Sequence, residues 1–158
     1  MFRWLKERTS QSNERRNRRI DAEVAMIAER YSQPPYQGVY YDAENRDWLI
    51  IPGYALPSRF TERRCDLLIV FPQNYPEAAP TGFYLNKRFS LQTGGYDDHA
   101  TSRAYYGAPD LQAQGWHWYC VRMVMDAPGA WRPHEDVRQP DNLWTFLNMA
   151  REALSSAT

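Results

Sequence analysis

Cys120 is the side chain in this sequence best suited to covalent chemistry. It follows the strand-like residues Trp-His-Trp-Tyr and stands shortly before a turn. A thiolate attacks carbonyl carbons and can hold the acyl group as a thioester, so a cysteine in this position is a candidate acyl carrier. A cysteine in an aromatic strand can equally pack as a small apolar side chain. From the residues alone, both interpretations of Cys120 stay open.

Histidines on either side of Cys120 in the sequence could activate its thiol. His134 lies downstream and is the first candidate for polarising the site, with Asp136 as the group that orients its imidazole. His99 lies in the loop before the cysteine and is a second candidate for the same role. Either histidine could instead be an exposed loop residue. His117 should point to the opposite face of its strand from Cys120, because side chains alternate along a strand.

Composition limits the class of protein. Lys+Arg and Asp+Glu both number 19, so the net charge of zero provides no general attraction to nucleic acid or to acidic lipid. The two cysteines, Cys65 and Cys120, form no C-x-x-C motif and no Cys/His cluster, so we expect no disulfide framework, metal or cofactor. No apolar run approaches the ~20 residues that cross a bilayer, and the start lacks a secretory apolar segment. We expect a cytoplasmic protein that contacts no membrane.

Two amphipathic helices are predicted near the ends of the chain. Residues 13–31 carry apolar side chains at helical spacing, with Ser12 suited to cap the start and two prolines after the end. Residues 142–153 carry a second apolar stripe, with Asp141 as the expected N-cap. Each helix should lay its apolar stripe on a common core.

Short strands with turn-rich links are predicted between these helices, at 39–41, 48–51 with continuation over 54–56, 65–71, 81–85 and 116–125. Successive strands with short links favour an antiparallel meander of about four strands. Residues 86–115 are typical of a long irregular loop, here placed just before Cys120. The fold class is therefore α+β, with residues 13–154 forming one domain after a flexible basic N-terminus at residues 1–12.

Four arginines crowd the start of the predicted first helix: Arg15, Arg16, Arg18 and Arg19. In a chain of zero net charge, this local positive charge is a candidate docking surface for a protein partner. A solvated helix end is the alternative interpretation.

Residues 66–83, DLLIVFPQNYPEAAPTGF, join an apolar strand to a proline-braced turn and a second strand. The spacing of Pro72, Tyr75-Pro76 and Pro80 resembles the strand-loop-strand signature of ubiquitin-conjugating enzymes.

The resemblance extends along most of the chain in the expected order. A basic N-terminal helix precedes the proline-braced segment, and Cys120, a Trp-x-Pro at residues 131–133 and an amphipathic helix from Asn142 follow it. The resemblance implies a fold of the ubiquitin-conjugating type, with residues 86–115 as the active-site loop and Cys120 as the active-site cysteine. It further implies that Cys120 accepts a ubiquitin-like protein as a thioester from an activating enzyme and transfers it to an amine of a target protein.

Under this resemblance, the activating enzyme would dock on the basic helix at Arg15, Arg16 and Arg19. The chain also departs from the pattern, because the residues before Cys120 contain no His-Pro-Asn element. It therefore resembles divergent bacterial members, some of which use a histidine downstream of the cysteine, here His134. Such proteins are typically encoded beside an activating enzyme, a ubiquitin-like protein and a JAB-type metallopeptidase, in antiviral (antiphage) conjugation systems.

Other functions compete with that of a conjugating enzyme. A catalytically inactive adaptor of the same fold would bind a modifier or partner noncovalently, and its Cys120 would be buried and replaceable. A cysteine hydrolase using Cys120, His134 and Asp136 is disfavoured, because no cysteine opens a helix. Nucleic-acid binding is disfavoured by the zero net charge and the absence of a recognisable module.

Overall fold

A computed structural model describes residues 10–101, 103–121 and 131–156, with side chains from residue 14 onward. The helices are α1 (Ser10–Arg30) and α2 (Leu143–Ser155), and the strands are β1 (Tyr40–Tyr41), β2 (Trp48–Ala55), β3 (Arg64–Val70), β4 (Gly82–Leu85), β5 (Ala100–Thr101) and β6 (His117–Cys120). The predicted α+β class, with an N-terminal helix, an antiparallel sheet and a C-terminal helix, is confirmed. No helix among the described residues is both long and apolar enough to span a membrane.

The strands form one antiparallel sheet in the order β1-β2-β3-β4-β6-β5. The first four strands make the predicted meander, and the described residues add two more strands to it. One of these, β5, lies inside the segment predicted to be an irregular loop, at the edge of the sheet beside β6. The two predicted pieces of the second strand are one strand with a bulge, because the register shifts between Ile51 and Tyr54.

Both helices pack on one face of the sheet. Ile20, Val24 and Ile27 of α1 share a core, here called the first cluster, with the apolar stripe of α2 and with side chains from β2, β3, β4 and β6. The opposite face carries a smaller core, the second cluster, formed by Leu68, Val70, Tyr84, Leu111 and Trp118. The segment from residue 104 to residue 116, which contains a short 3-10 helix at Gln112–Gln114, covers this second cluster.

The helix ends differ from the sequence predictions. α1 begins at Ser10, three residues before the predicted start, and residues 1–9 lie outside the described part. The N-cap of α2 is Asn142 rather than Asp141, with a reciprocal capping box to Thr145. Asp141 is occupied elsewhere, because its carboxylate accepts the N–H of Arg132 at 2.6 Å. The last predicted strand ends at Cys120, and residues 122–125 of its predicted span lie outside the described part.

Two of the arginines assigned to docking are not exposed. Arg16 is buried, and its guanidinium donates to the carbonyls of Pro72 (3.1 Å) and Phe71 (3.3 Å), which attaches α1 to the end of β3. Arg19 is only 11% exposed and pairs with Glu23 at 3.3 Å. The prediction that Arg16 and Arg19 face a partner is therefore wrong, since both bind within the domain.

Candidate active site

Cys120 ends β6 on the sheet face that carries the second cluster. Its side chain is half-buried and packs against that cluster. Trp118 of the same strand belongs to the cluster, and Trp116, which precedes the strand, packs against it. Cys120 pairs with Gly82 of β4, and its N–H donates to the carbonyl of His99 at 3.1 Å. The backbone of Cys120 is therefore held between two neighbouring segments, and its side chain is half-buried on the second-cluster face.

A groove of about 320 Å³ lies on the same face. Residues 70–74 and 78–82 form one side of it, and residues 106–108 form the other. Val70 and Tyr84 belong both to the groove and to the second cluster. Because Gly82 lines the groove and pairs with Cys120, the groove runs up to the strand position next to the thiol. Cys120 itself is not among the residues that line the groove.

Trp118 lies beside Gly82, and its ring leaves no room for a side chain at position 82. A Cβ built on Gly82 would come within 2.4 Å of the Trp118 indole, so only glycine fits under the ring. The indole is 1% exposed, and Tyr105 and Tyr106 flank it with ring centroids 6.0 and 6.2 Å away. Its Nε1–H is buried and has no hydrogen-bond acceptor among the residues that the structure describes. An unpaired buried donor costs about 1–3 kcal/mol and calls for an explanation.

His99 is the candidate histidine whose backbone carbonyl accepts a hydrogen bond from the N–H of Cys120. Its imidazole lies over the ring of Tyr119, 6.1 Å between centroids, and its Nδ1 is 3.2 Å from Oδ1 of Asp97 without hydrogen-bond alignment. Asp97 is buried and also binds the Tyr119 hydroxyl and the Arg59 guanidinium. Burial raises the pKa of Tyr119, so this hydroxyl stays a donor to Asp97. Sequence reasoning missed Asp97, although it lies only two positions before His99.

His134 and Asp136 lie at the surface, on a segment attached to α1. Arg19 of α1 donates to the carbonyl of His134. The N–H of Asp136, not its carboxylate, contacts the imidazole, donating to Nδ1 at 3.0 Å, while the carboxylate accepts the N–H of Arg138 at 2.9 Å. Among the described residues, no hydrogen bond or ion pair connects His134 or Asp136 with Cys120. Cys120 therefore has a backbone hydrogen bond to His99 and no hydrogen bond to His134 or Asp136 among the described residues.

Trp131 and the proline-braced turn meet in the structure. The indole N–H of Trp131 donates to the carbonyl of Pro76 at 2.7 Å, and its ring packs near that of Tyr75 at 6.3 Å. Tyr75 is buried in the first cluster, and its hydroxyl donates to Glu23 at 2.6 Å. The two proline-containing motifs of the sequence thus brace the same corner of the domain.

Cys65 offers a contrast to Cys120. It lies in β3, is 4% exposed and packs in the first cluster. Burial raises the pKa of the Cys65 thiol well above its ordinary value, and the charge of Asp66 adds to the effect. A thiol that is both enclosed and held protonated is a poor nucleophile. As for metal sites, no group of three or more His, Cys, Asp or Glu side chains within residues 10–101, 103–121 and 131–156 could hold an ion.

Comparison with known families gives one match. The family model described as prokaryotic E2 family E matches residues 35–157, which includes the whole sheet, Cys120 and α2. Comparison with curated proteins and with solved structures finds no match.

Proposed function

Because the chain belongs to prokaryotic E2 family E, we propose that it carries a ubiquitin-like protein as a thioester on Cys120, between an activating enzyme and an amine of a target protein. E2 proteins form the conjugating class of such pathways, so an activating enzyme and a ubiquitin-like modifier are its partners in general. Cys120, as the carrier of the acyl group, is the specific part of the proposal.

The observation that carries the proposal is a half-buried cysteine whose cross-strand partner lines a groove. Cys120 is half-buried at the end of β6, and the groove along residues 70–74 and 78–82 reaches its strand partner, Gly82. A modifier attached through its C-terminus needs an extended path to the thiol, and the groove offers one. Cys65 has neither the access nor the ionisation for this role.

The reaction consists of two acyl transfers. The Cys120 thiolate attacks the carbonyl carbon of the thioester on the activating enzyme, a C–S bond forms, and the enzyme's thiolate leaves. A target amine then attacks the new thioester, an amide bond forms, the Cys120 thiolate leaves and the amine loses a proton. We propose His99 as the first candidate to accept that proton on the strength of its backbone hydrogen bond to Cys120, while its imidazole contacts Tyr119 and Asp97. His134, with Asp136, is the alternative.

The two histidines are separated by matched variants. His99→Ala should slow transfer from the charged protein to free lysine by about 10²-fold, a typical loss for a general base, whereas His134→Ala should leave it unchanged. The rate of transfer to free lysine is measured by quenching the charged protein at timed intervals, and its value in the two variants shows which histidine acts as the base. A large loss in His134→Ala with none in His99→Ala would transfer the role to His134.

Docking of the activating enzyme is proposed for the arginines of α1 that remain exposed, Arg15 and Arg18. Arg15→Glu should slow the charging of Cys120 when the activating enzyme is limiting, because electrostatic steering sets the association rate. Added salt should reduce the difference in rate between the variant and the parent protein. Arg138→Glu is the matched control, since it removes an equally exposed charge from the segment before α2. Equal losses in both variants would indicate a general charge effect and not docking.

The test of the carrier role is a charging reaction with the cognate activating enzyme and ubiquitin-like protein, with ATP. We expect the parent protein to form an adduct that added thiols remove. The Cys65→Ala variant should still form this adduct, and the Cys120→Ala variant should not. Cys120→Ser should give an adduct that resists thiols, because serine forms an oxygen ester. An adduct that persists in Cys120→Ala would refute the site. Tight modifier binding without any covalent adduct would instead favour the adaptor function.

We place this activity in a bacterial antiphage pathway, on the resemblance alone. If that is correct, a strain that carries the whole gene set should resist phage, and Cys120→Ala should abolish the resistance. Unchanged plating of phage on the Cys120→Ala strain would argue against it.

A further inference from the structure

We propose that the indole N–H of Trp118 stabilises the oxyanion that forms when an acyl group is transferred to or from Cys120. This inference rests on the proposed carrier function. It explains a feature that the fold itself does not require, namely a buried donor without an acceptor beside the candidate nucleophile.

The indole and the thiol converge on the same residue, Gly82. Trp118 and Cys120 are alternate residues of β6, so their side chains share a face of the sheet. Nε1 of Trp118 lies 2.4 Å from the Cβ position of Gly82, and Gly82 is the cross-strand partner of Cys120. Directly opposed Cβ positions are about 5 Å apart, which places Nε1 within about 8 Å of Cβ of Cys120. The carbonyl oxygen of an acyl group on Sγ extends about 4 Å from Cβ and a hydrogen bond adds about 3 Å, so the proposal requires Nε1 to lie within about 7 Å of Cβ of Cys120.

Acyl transfer is faster when a hydrogen-bond donor lies beside the acyl oxygen. Attack of a thiolate on a thioester moves the carbonyl π electrons onto oxygen, and the charge returns to sulfur when the leaving thiolate departs. A fixed donor in a site that excludes water lowers the free energy of this intermediate more than a donor in solvent does. Trp118 meets both conditions, because it is 1% exposed and its ring is held by Gly82, Tyr105 and Tyr106. An oxyanion would give Nε1–H the acceptor that it lacks.

The experiment removes the N–H and keeps the ring. Site-specific incorporation of 3-benzothienylalanine at position 118 replaces N–H by sulfur in a ring of similar size. The same analogue at Trp116, which is half-buried against the same cluster, is the matched control. Acyl transfer is measured with a short synthetic peptide thioester of 2-mercaptoethanesulfonate, followed by mass spectrometry of Cys120. Alkylation of Cys120 by iodoacetamide serves as a reaction that uses the same thiol but forms no oxyanion.

The analogue at position 118 should slow acyl transfer by about 10²-fold, the usual effect of one oxyanion donor, and leave alkylation unchanged. The analogue at Trp116 should change neither rate. The inference is overturned if both reactions slow equally, which would indicate a structural role for Trp118, or if neither slows. If the unmodified protein is alkylated at Cys120 but takes no acyl group there, the carrier function itself fails, and the role of Trp118 fails with it.

Discussion

Glu23→Gln should destabilise the domain more than any exposed charge change. Glu23 is fully buried, and its carboxylate accepts the Tyr75 hydroxyl at 2.6 Å, the Leu143 N–H at 2.7 Å and Nε–H of Arg19 at 3.3 Å. It therefore joins α1, the proline-braced turn and the first residue of α2. An amide has one acceptor oxygen, so at least one of these donors would face an NH₂ group.

The expected cost follows from those contacts. One unsatisfied buried donor costs about 1–3 kcal/mol, and loss of a negative charge at the N-terminus of α2 adds about 0.3–1 kcal/mol. We expect Glu23→Gln to lower the free energy of unfolding by about 1–4 kcal/mol, or the Tm by about 3–16 °C for a chain of this size. Asp21→Asn, on the same helix, is the control, because Asp21 is 44% exposed and its ion pair with Arg46 is worth under about 1 kcal/mol.

Urea denaturation followed by circular dichroism measures both variants, with an unchanged m value showing that the comparison is valid. A loss for Glu23→Gln within about 0.5 kcal/mol of that for Asp21→Asn would refute the reasoning, because burial and contact number would then not decide the cost.

Three further predictions concern accessible thiols, packing and pH. Iodoacetamide should label Cys120 alone in the native protein, with Cys65 reacting only after denaturation, as counted by mass spectrometry; labelling of both in the native state would contradict the contrast drawn between them. Gly82→Ala should cost about 1–3 kcal/mol by forcing its Cβ into the Trp118 ring, and Trp118→Phe should recover part of that loss in a double-mutant cycle. An arginine partner lowers the pKa of Asp21 below its ordinary value of 3.8, so the small stability that Asp21 provides is present above that pH and lost on acidification. The difference between Asp21→Asn and the parent should therefore close below about pH 4, and a difference that widens there would contradict it.

The sequence predicted those parts of the fold that depend on local pattern. Apolar spacing located both helices, and short apolar runs between turn-forming residues located β2, β3 and β4. The strand β5 was missed because two residues carry no periodic signal, and their extended form depends on pairing with β6. The N-cap was misassigned between Asp141 and Asn142, since both residue types suit a cap and tertiary contacts decide between them.

The candidate site was only partly predictable for the same reason. Cys120 was identifiable by residue type and by the order of motifs. That Arg16 is buried could not be read from a run of arginines, because the acceptors of its guanidinium, the carbonyls of Phe71 and Pro72, are 55 and 56 residues away. Asp97 and the indole of Trp118 gain their importance from cross-strand neighbours, which only the folded sheet brings together.

The most direct test of the carrier function is to map the acyl group on the charged protein. The chain is incubated with activating enzyme, ubiquitin-like protein and ATP, digested at low pH to preserve thioesters, and analysed by mass spectrometry. The account predicts the modifier's C-terminal fragment on Cys120, removable by thiol, with Cys65 unmodified. A modifier found on Cys65 or on any residue other than Cys120, or bound without a covalent bond, would contradict it.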